Sequence, residues 1–350
     1  MLNKIIREDL EFIVNSDLSW DSFDGSTVLI TGANGFLPSY MLETLLYLND
    51  KYNKKINVIA LARNKEKTLK KFSHHKDRHD LQFIFQDICE PVVVKKNKDI
   101  NYIIHAASQA SAKYYKIDPV GTLSANIIGT MNLLKIAQKE YLKSFLYFST
   151  GGVYGKGVED RIPTTENDYG YLDPTDINSC YTESKRMGEN ICISWFYQYG
   201  IPIKIVRLSY VYGPGMDMED ERVFPNFVSS VVNNRDIIMT SDGSATRSFC
   251  YIADATLAFF TVLLKGKNGE AYNVGIEKET SVLELANILI GLFPEKGIKI
   301  IKKENKKPDS SVQRSCLDIS KISSLGWKPV FSIDKGSKRT ILSYYENGNK

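Results

Sequence analysis

A doubly wound parallel α/β sheet with a smaller C-terminal α/β lobe is the fold class this chain predicts, and three observations carry the prediction. A β-branched run, Ser26 to Thr31, ends in a glycine turn and leads into helix-forming apolar residues from Ser39 to Leu48, the order strand, turn, helix. Five further apolar runs, Asn57 to Ala62, Leu81 to Phe85, Tyr102 to Ala107, Phe145 to Ser149 and Ile203 to Leu208, alternate with stretches of helical periodicity, as parallel strands joined by helical crossovers require. The 350 residues exceed what one hydrophobic core holds, roughly 250–300 residues, so two lobes are expected.

Residues 1–24 precede the first strand, and Ile5, Ile6, Leu10, Ile13 and Val14 suit one face of an amphipathic helix, either a packing arm or an oligomer contact. Residues 25–208 carry the strand and helix alternation. Beyond Leu208 the character changes: Gly213-Pro214-Gly215 punctuates the chain, an acidic stretch runs from Asp217 to Glu221, and short strands and helices continue through 209–350, some of them expected to return to the first domain. Thr280 to Leu292 reads as a helix with Ser281 at its N-cap.

Composition excludes several classes. No segment approaches the roughly 20 apolar residues of a membrane-spanning helix. The start, Met1 to Asp9, has acids at once and no apolar stretch before a small-residue cleavage site, so a cytoplasmic protein is expected. Five cysteines, scattered and without close pairs, predict reduced thiols and no metal site. The net charge of +4 is mild, and Lys302, Lys303, Lys306 and Lys307 are interrupted by Glu304 and followed by Pro308, a solvated face and not a nucleic-acid surface.

Thr31-Gly-Ala-Asn-Gly-Phe36 has the spacing that brings a pyrophosphate onto a helix N-terminus, where free N–H groups and the helix dipole favour negative charge. Pro38 stands where a third glycine is usual, and proline is tolerated in a first helical turn because its missing N–H would lack a partner there. The second strand ends Ile59-Ala-Leu-Ala-Arg63, without the acid that holds an adenosine ribose. Arg63, near Lys65 and Lys67, is therefore a candidate for a 2′-phosphate, which leaves NAD and NADP both open; Asp87, after the third run, is a candidate adenine partner or a strand-end cap.

Tyr181 and Lys185 stand four apart on one face of a predicted helix. A free tyrosine ionises near pH 10, so it acts as a base near neutrality only when a cation lowers its pKa, and a lysine or an oxidised nicotinamide ring does this. Phe148-Ser-Thr-Gly-Gly-Val-Tyr-Gly155 adds a hydroxyl at the end of a strand, placed to share the substrate oxygen with Tyr181.

With these segments in view the chain, from about Ser26 to Tyr345, resembles the extended short-chain dehydrogenase/reductase family of nucleotide-sugar epimerases, dehydratases and decarboxylases, built on a Rossmann domain. The resemblance rests on the glycine turn, His105-Ala-Ala-Ser108, Asn126-Ile-Ile-Gly-Thr130, Ser149-Thr150 before Val153-Tyr-Gly155, Tyr181 with Lys185, Tyr212-Gly-Pro214, Asp242-Gly243, Thr246-Arg-Ser-Phe249, Tyr272-Asn-Val-Gly275 and Leu325-Gly-Trp-Lys-Pro329. Ala107 to Ser111 and Cys180 to Glu189 look most like the UDP-glucuronate decarboxylase branch.

What the resemblance implies is specific. Thr150 becomes the catalytic hydroxyl, Tyr181 the base and Lys185 its pKa partner and cofactor-ribose contact. Gly32, Asn34, Gly35, Phe36, Arg63, Asp87, Ala106, Ala107 and Ser108 fall at cofactor positions. Ser108, Thr150, Tyr210, Arg222, Arg247 and Arg314 fall at substrate positions, with Arg247 on the diphosphate. Family relatives dimerise through two helices each, here Pro119 to Glu140 and Tyr181 to Tyr199, so a homodimer is implied; Ile191, Trp195 and Phe196 suit that interface or the core equally well.

Two departures bear on the reaction. Dehydratases and decarboxylases of the family carry acids after the catalytic threonine, whereas this chain has Gly151 and Gly152, which are also expected to leave room for a 4-keto sugar to turn over. That favours a C4 epimerase. In Arg207-Leu-Ser-Tyr-Val-Tyr-Gly-Pro214 the family's asparagine is replaced by Tyr210. The alternatives are a 4,6-dehydratase or a decarboxylase recruiting Glu166 or Asp168, which otherwise read as loop caps, or a 4-keto reductase. A non-catalytic dinucleotide-binding protein would keep the turn but has no need of Thr150, Tyr181 and Lys185 together.

Overall fold

The computed structural model describes residues 2–94, 99–156, 161–303 and 314–346; Glu304, Lys306, Lys307 and Pro308 of the basic cluster lie outside the described residues. The six predicted runs form strands β1 (Thr27–Thr31), β2 (Asn57–Ala62), β3 (Leu81–Phe85), β4 (Tyr102–His105), β5 (Ser144–Thr150) and β6 (Ile203–Leu208). β4 stops two residues short of the predicted run, because Ala106 and Ala107 leave the ladder to cross the glycine turn. Beyond them come β7 (Tyr210–Tyr212), β8 (Ile237–Met239), β9 (Thr246–Arg247), β10 (Phe249–Tyr251), β11 (Glu270–Val274), β12 (Thr280–Ser281) and β13 (Ile300–Lys302).

The central sheet is parallel in the order β11-β6-β5-β4-β1-β2-β3, and β11 reaches it from beyond residue 208, setting Asn273 beside Arg207. β1 pairs with β2 on one side and β4 on the other, so the winding direction reverses there and a crevice opens at the carboxyl ends of these strands. Three small two-stranded pairs, β7 with β10, β9 with β12 and β8 with β13, stand outside it.

Helices α1 (Lys4–Val14), α2 (Phe36–Tyr52), α3 (Lys65–Lys71), α4 (Lys113–Ile117), α5 (Pro119–Ala137), α6 (Cys180–Tyr199), α7 (Val223–Val232), α8 (Ile252–Lys265), α9 (Val282–Gly291), α10 (Ser320–Ser323) and α11 (Ile333–Glu346) complete the chain. Successive strand residues point to opposite faces: Val28 and Ile30 enter the core shared with α2 and α8, while Leu29 enters the one under α5 and α6. Ser281 caps α9 by accepting the Glu284 N–H at 3.0 Å. Among the described residues no helix is long and apolar enough to cross a membrane, and all five cysteines are free.

Asn3 starts α1 by accepting the N–H of Ile5 and Ile6. Ile5, Leu10, Ile13 and Val14 are buried against α2, α8 and α11, with Ile6 at the edge of that core. The same face carries Asp9, fully buried, whose Oδ2 accepts the hydroxyls of Tyr251 (2.8 Å) and Tyr40 (3.2 Å) and whose Oδ1 accepts from Arg339 Nη2 (2.8 Å). Burial pushes the Asp9 carboxyl up to about 6, and the Arg339 charge and the hydrogen bonds offset only part of the rise. An unfolded aspartate titrates near 4. Asp9 therefore contributes its full stability below about pH 4 and loses it as the pH rises through about 6. Arg339→Met, which strips the charge pairing with the carboxylate, is expected to cost about 2 kcal/mol at pH 8, discounted for the partial exposure of Arg339. The cost should shrink at pH 5, where Asp9 takes up a proton instead. Urea unfolding at the two pH values checks this, and equal losses would refute the ion pair.

Candidate active site

The crevice is built first by the β1-to-α2 turn. Gly32 has φ +66°, and a Cβ there would lie 2.8 Å from the Ala107 Cα, so glycine is required both by the backbone and by the strand crossing it. A Cβ on Gly35 would stand 3.0 Å from the Gly32 carbonyl. Gly35 caps α2 without any side-chain acceptor, which leaves the N–H groups of Phe36 and Leu37 for a ligand, and Pro38 follows buried in the same first turn. Lys71 donates to the carbonyls of Asn34 and Gly35, 3.2 Å each, bracing the turn from behind. Ser108 Oγ is buried with no hydrogen-bond partner among the described residues. A cradle closed to side chains, an uncapped helix N-terminus and an unsatisfied hydroxyl fit a dinucleotide pyrophosphate.

At the carboxyl ends of β2 and β3, Arg63 and Asp87 face one another, Nη1 to Oδ2 at 3.5 Å. Asp87 also accepts the Cys89 N–H at 2.9 Å, so it caps the strand end as well. That pairing sets a carboxylate beside Arg63, the candidate for a 2′-phosphate, at the adenosine end of the crevice. His105 is a fixed internal brace, with Nδ1 2.9 Å from Thr31 Oγ1 and Nε2 3.0 Å from Thr130 Oγ1; burial first, then Lys185, push its pKa down to about 3, so it stays neutral.

β5 ends at Thr150, and α6 brings Tyr181 and Lys185 to it. Thr150 lies close enough to Tyr181 to act on its hydroxyl, and Thr150 Oγ1 accepts the Gly152 N–H at 3.2 Å. Lys185 is buried; its Nζ donates to the Phe148 carbonyl at 2.6 Å and lies 6.0 Å from the Tyr181 ring centre. Burial lowers Lys185 to about 7 and raises Tyr181 to about 12, the latter only partly offset by Thr150 and Arg222. Burial thus shifts the two residues in opposite directions, the phenol up and the ammonium down.

One residue of this cluster has no counterpart in the sequence reading. Tyr115, on the one-turn α4, stacks on Tyr181 with ring centres 5.4 Å apart and planes at 11°. Arg222 and Tyr210 act electrostatically on Tyr115, and Arg222 on Tyr181, so the structure gathers these four side chains at the base. Arg222 is held by Asp220 (Nε to Oδ2 2.9 Å), and Arg247 lies 5.4 Å over the Tyr210 ring. Arg314 stands farther out, paired with Glu279, which also accepts the hydroxyl of Thr246 next to Arg247. The adjacent tyrosines Tyr114 and Tyr115 were the available signal, but a five-residue helix has too little periodicity to place them.

Gly151 and Gly152 open a short helical turn to Tyr154. They do not leave the space expected of them. A Cβ on Gly152 would meet the Thr182 methyl at 2.8 Å, and one on Gly151 the Leu208 carbonyl at 3.2 Å. The two acids weighed as substitutes are engaged elsewhere: Glu166 Oε1 accepts the Asn273 N–H at 2.8 Å, and Asp168 accepts both the N–H and hydroxyl of Thr165. Both are loop caps.

Comparison with known proteins places the chain and its fold. The profile of the NAD dependent epimerase/dehydratase family matches residues 28–275. UDP-glucuronic acid decarboxylase 6 of Arabidopsis thaliana is 34% identical over 315 residues, 88% of this chain and 86% of the plant protein. The dTDP-D-glucose 4,6-dehydratase of Homo sapiens is 32% identical over 332 residues, 91% and 90% of the two chains. The solved structure of a Bacillus cereus UDP-glucuronic acid 4-epimerase variant, in complex with a fluorinated UDP-sugar and NAD, shares the fold with a TM-score of 0.75 at 23% identity, covering 92% of this chain and 99% of that one.

Proposed function

The chain belongs to the NAD dependent epimerase/dehydratase family of nucleotide-sugar enzymes, and within it we propose an NAD-dependent C4 epimerase acting on a nucleotide-diphosphate sugar. The observation that carries this choice is the stretch after Thr150: two glycines stand where dehydration needs an acid and a base, and Glu166 and Asp168 are tied into loop caps. Epimerisation needs neither.

In this reading Gly32, Asn34, Gly35, Phe36, Ala106, Ala107 and Ser108 hold the pyrophosphate half of NAD, Arg63 and Asp87 the adenosine end, and Lys185 the ribose beside the nicotinamide. Bound NAD supplies a reversible hydride acceptor. Tyr181 takes the proton of the sugar 4-hydroxyl as the C4 hydride leaves, and Thr150 hydrogen-bonds the same oxygen as it becomes a carbonyl. Once the 4-keto sugar has turned over, Tyr181 would return its proton to the same oxygen, and the cycle as a whole would consume no external reductant. Arg247, set over Tyr210, takes the diphosphate, with Arg222 and Arg314 toward the nucleotide. Tyr210 and Tyr115 add aromatic surface where the sugar lies.

A second reading, decarboxylation of a UDP-linked uronic acid, is favoured by the 34% identity to the plant decarboxylase. Proton NMR of a nucleotide-sugar panel incubated with the protein and NAD in D2O separates the two. The expected product is a C4 epimer without solvent deuterium. Release of CO2 from a uronic acid, or deuterium at C5 of a 4-keto-6-deoxy sugar, would overturn the epimerase reading. A homodimer built on α5 and α6 completes the proposal: Val120, Ile128, Met131 and Met187 are exposed on these helices, and light scattering reads the mass.

A further inference from the structure

We propose that Glu43, His74 and His75 form a binding site for a divalent transition-metal ion, zinc being the one their chemistry suits. Glu43 lies on the buried face of α2, its side chain 9% exposed. Its Oε1 is 3.0 Å from Nε2 of His74 and its Oε2 is 2.8 Å from Nε2 of His75. The imidazoles are neighbours in the turn Ser73–His75 after α3, with ring centres 4.1 Å apart, so both offer the same ring nitrogen to one carboxylate.

All three donor atoms lie within 4.8 Å of one another, close enough for a modest adjustment to place them around one ion at roughly 2.0–2.2 Å from each. Two imidazoles and a carboxylate form an established donor set for zinc, with a fourth position left for water. The His74 side chain is 19% exposed in a surface turn, which gives the ion a route in.

The charge balance points the same way. A carboxylate this buried is costly unless a cation or hydrogen bonds compensate it, and His74 and His75 are what face it here. Lys71 shares the pocket but sends its Nζ to the carbonyls of Asn34 and Gly35. A bound ion would tie α2 to the segment following α3. Its three residues come from α2 and the turn after α3, and none of them is Thr150, Tyr181 or Lys185.

The test uses the full-length protein, stripped with a chelator and titrated with zinc chloride by calorimetry and with cobalt(II) by visible absorption. The expected results are one ion per chain, a rise in Tm with zinc, and a cobalt spectrum typical of low-coordinate nitrogen and oxygen ligation. His74→Ala and His75→Ala should each weaken zinc binding by about 10-fold or more, while Cys89→Ser should leave it unchanged. Binding should also weaken as the pH falls and protons compete for the imidazoles. Both histidine variants alter a surface turn, so they decide the matter even if Glu43→Gln destabilises α2. Failure to bind zinc at micromolar concentration, or binding undiminished in the double histidine variant, would reduce the cluster to a histidine–glutamate hydrogen-bonded pair and overturn the proposal.

Discussion

Tyr181→Phe is expected to lower kcat by about 10²–10⁴-fold while leaving the fold and the affinity for NAD intact. The ring keeps its stacking on Tyr115 and loses only the hydroxyl beside Thr150, the group proposed to take the substrate proton. Because burial holds Tyr181 up at about 12, the chain alone keeps the phenol protonated at neutral pH, and the base forms only in the loaded site. Lys185→Met tests how much of that activation the lysine provides. Lys185 sits 6.0 Å from the phenol ring and is anchored to Phe148, so its influence is electrostatic and not a shared proton. The rising limb of the pH profile of kcat/KM should move to higher pH in Lys185→Met. A limb that does not move would assign Lys185 to holding the cofactor alone. A Tyr181→Phe enzyme with more than a tenth of normal kcat would remove the tyrosine from the role of base.

The strands were legible because a parallel sheet buried on both faces demands continuous apolar runs, and the boundaries of β2, β3 and β6 fall where those runs end. The glycine turn was legible for a related reason: a backbone that approaches Ala107 to within a Cβ's radius leaves its mark as glycine. What the sequence hid was what each side chain meets. Arg63 and Asp87 carry no sign of their pairing in the sequence, although β2 and β3 run in register to Ala62 and Phe85 and so bring Arg63 near the residues just after Phe85. Gly151 and Gly152 suggested room, but α6 fills one Cβ position with Thr182 and β6 the other with Leu208. Glu43 and the two histidines were passed over because 31 residues separate them, and no local spacing signals a site completed by tertiary packing.

Arg207→Met is expected to cost about 3–5 kcal/mol of stability, read by urea unfolding followed by circular dichroism. Arg207 is the second-last residue of β6 and its side chain is 4% exposed. Its Nε meets Glu189 Oε1 at 3.0 Å and its Nη2 meets Oε2 at 2.7 Å, a two-pronged pair that only the planar guanidinium can make. The remaining hydrogens go to the Tyr154 hydroxyl (3.2 Å), the Tyr169 hydroxyl (3.1 Å) and the Glu166 carbonyl (2.8 Å), and the rings of Tyr154 and Tyr169 lie 5.1 and 5.3 Å from the charge. Methionine fills much of the volume but strands the Glu189 carboxylate without a counter-ion, and that unpaired buried charge is the larger part of the cost. Two controls separate charge from packing. Arg207→Lys should recover little, because an ammonium cannot span both carboxylate oxygens and the Glu166 carbonyl together. Arg207→Met combined with Glu189→Met should recover most of the loss, because it removes both charges at once. A single variant that loses under about 1 kcal/mol would mean that water reaches Glu189, and the pair would then count as a surface one. The same contacts bear on the reaction. Arg207 holds the Glu166 carbonyl while the Asn273 N–H holds its carboxylate, so one of the two acids considered for a dehydratase role is engaged in fastening the loop to the sheet.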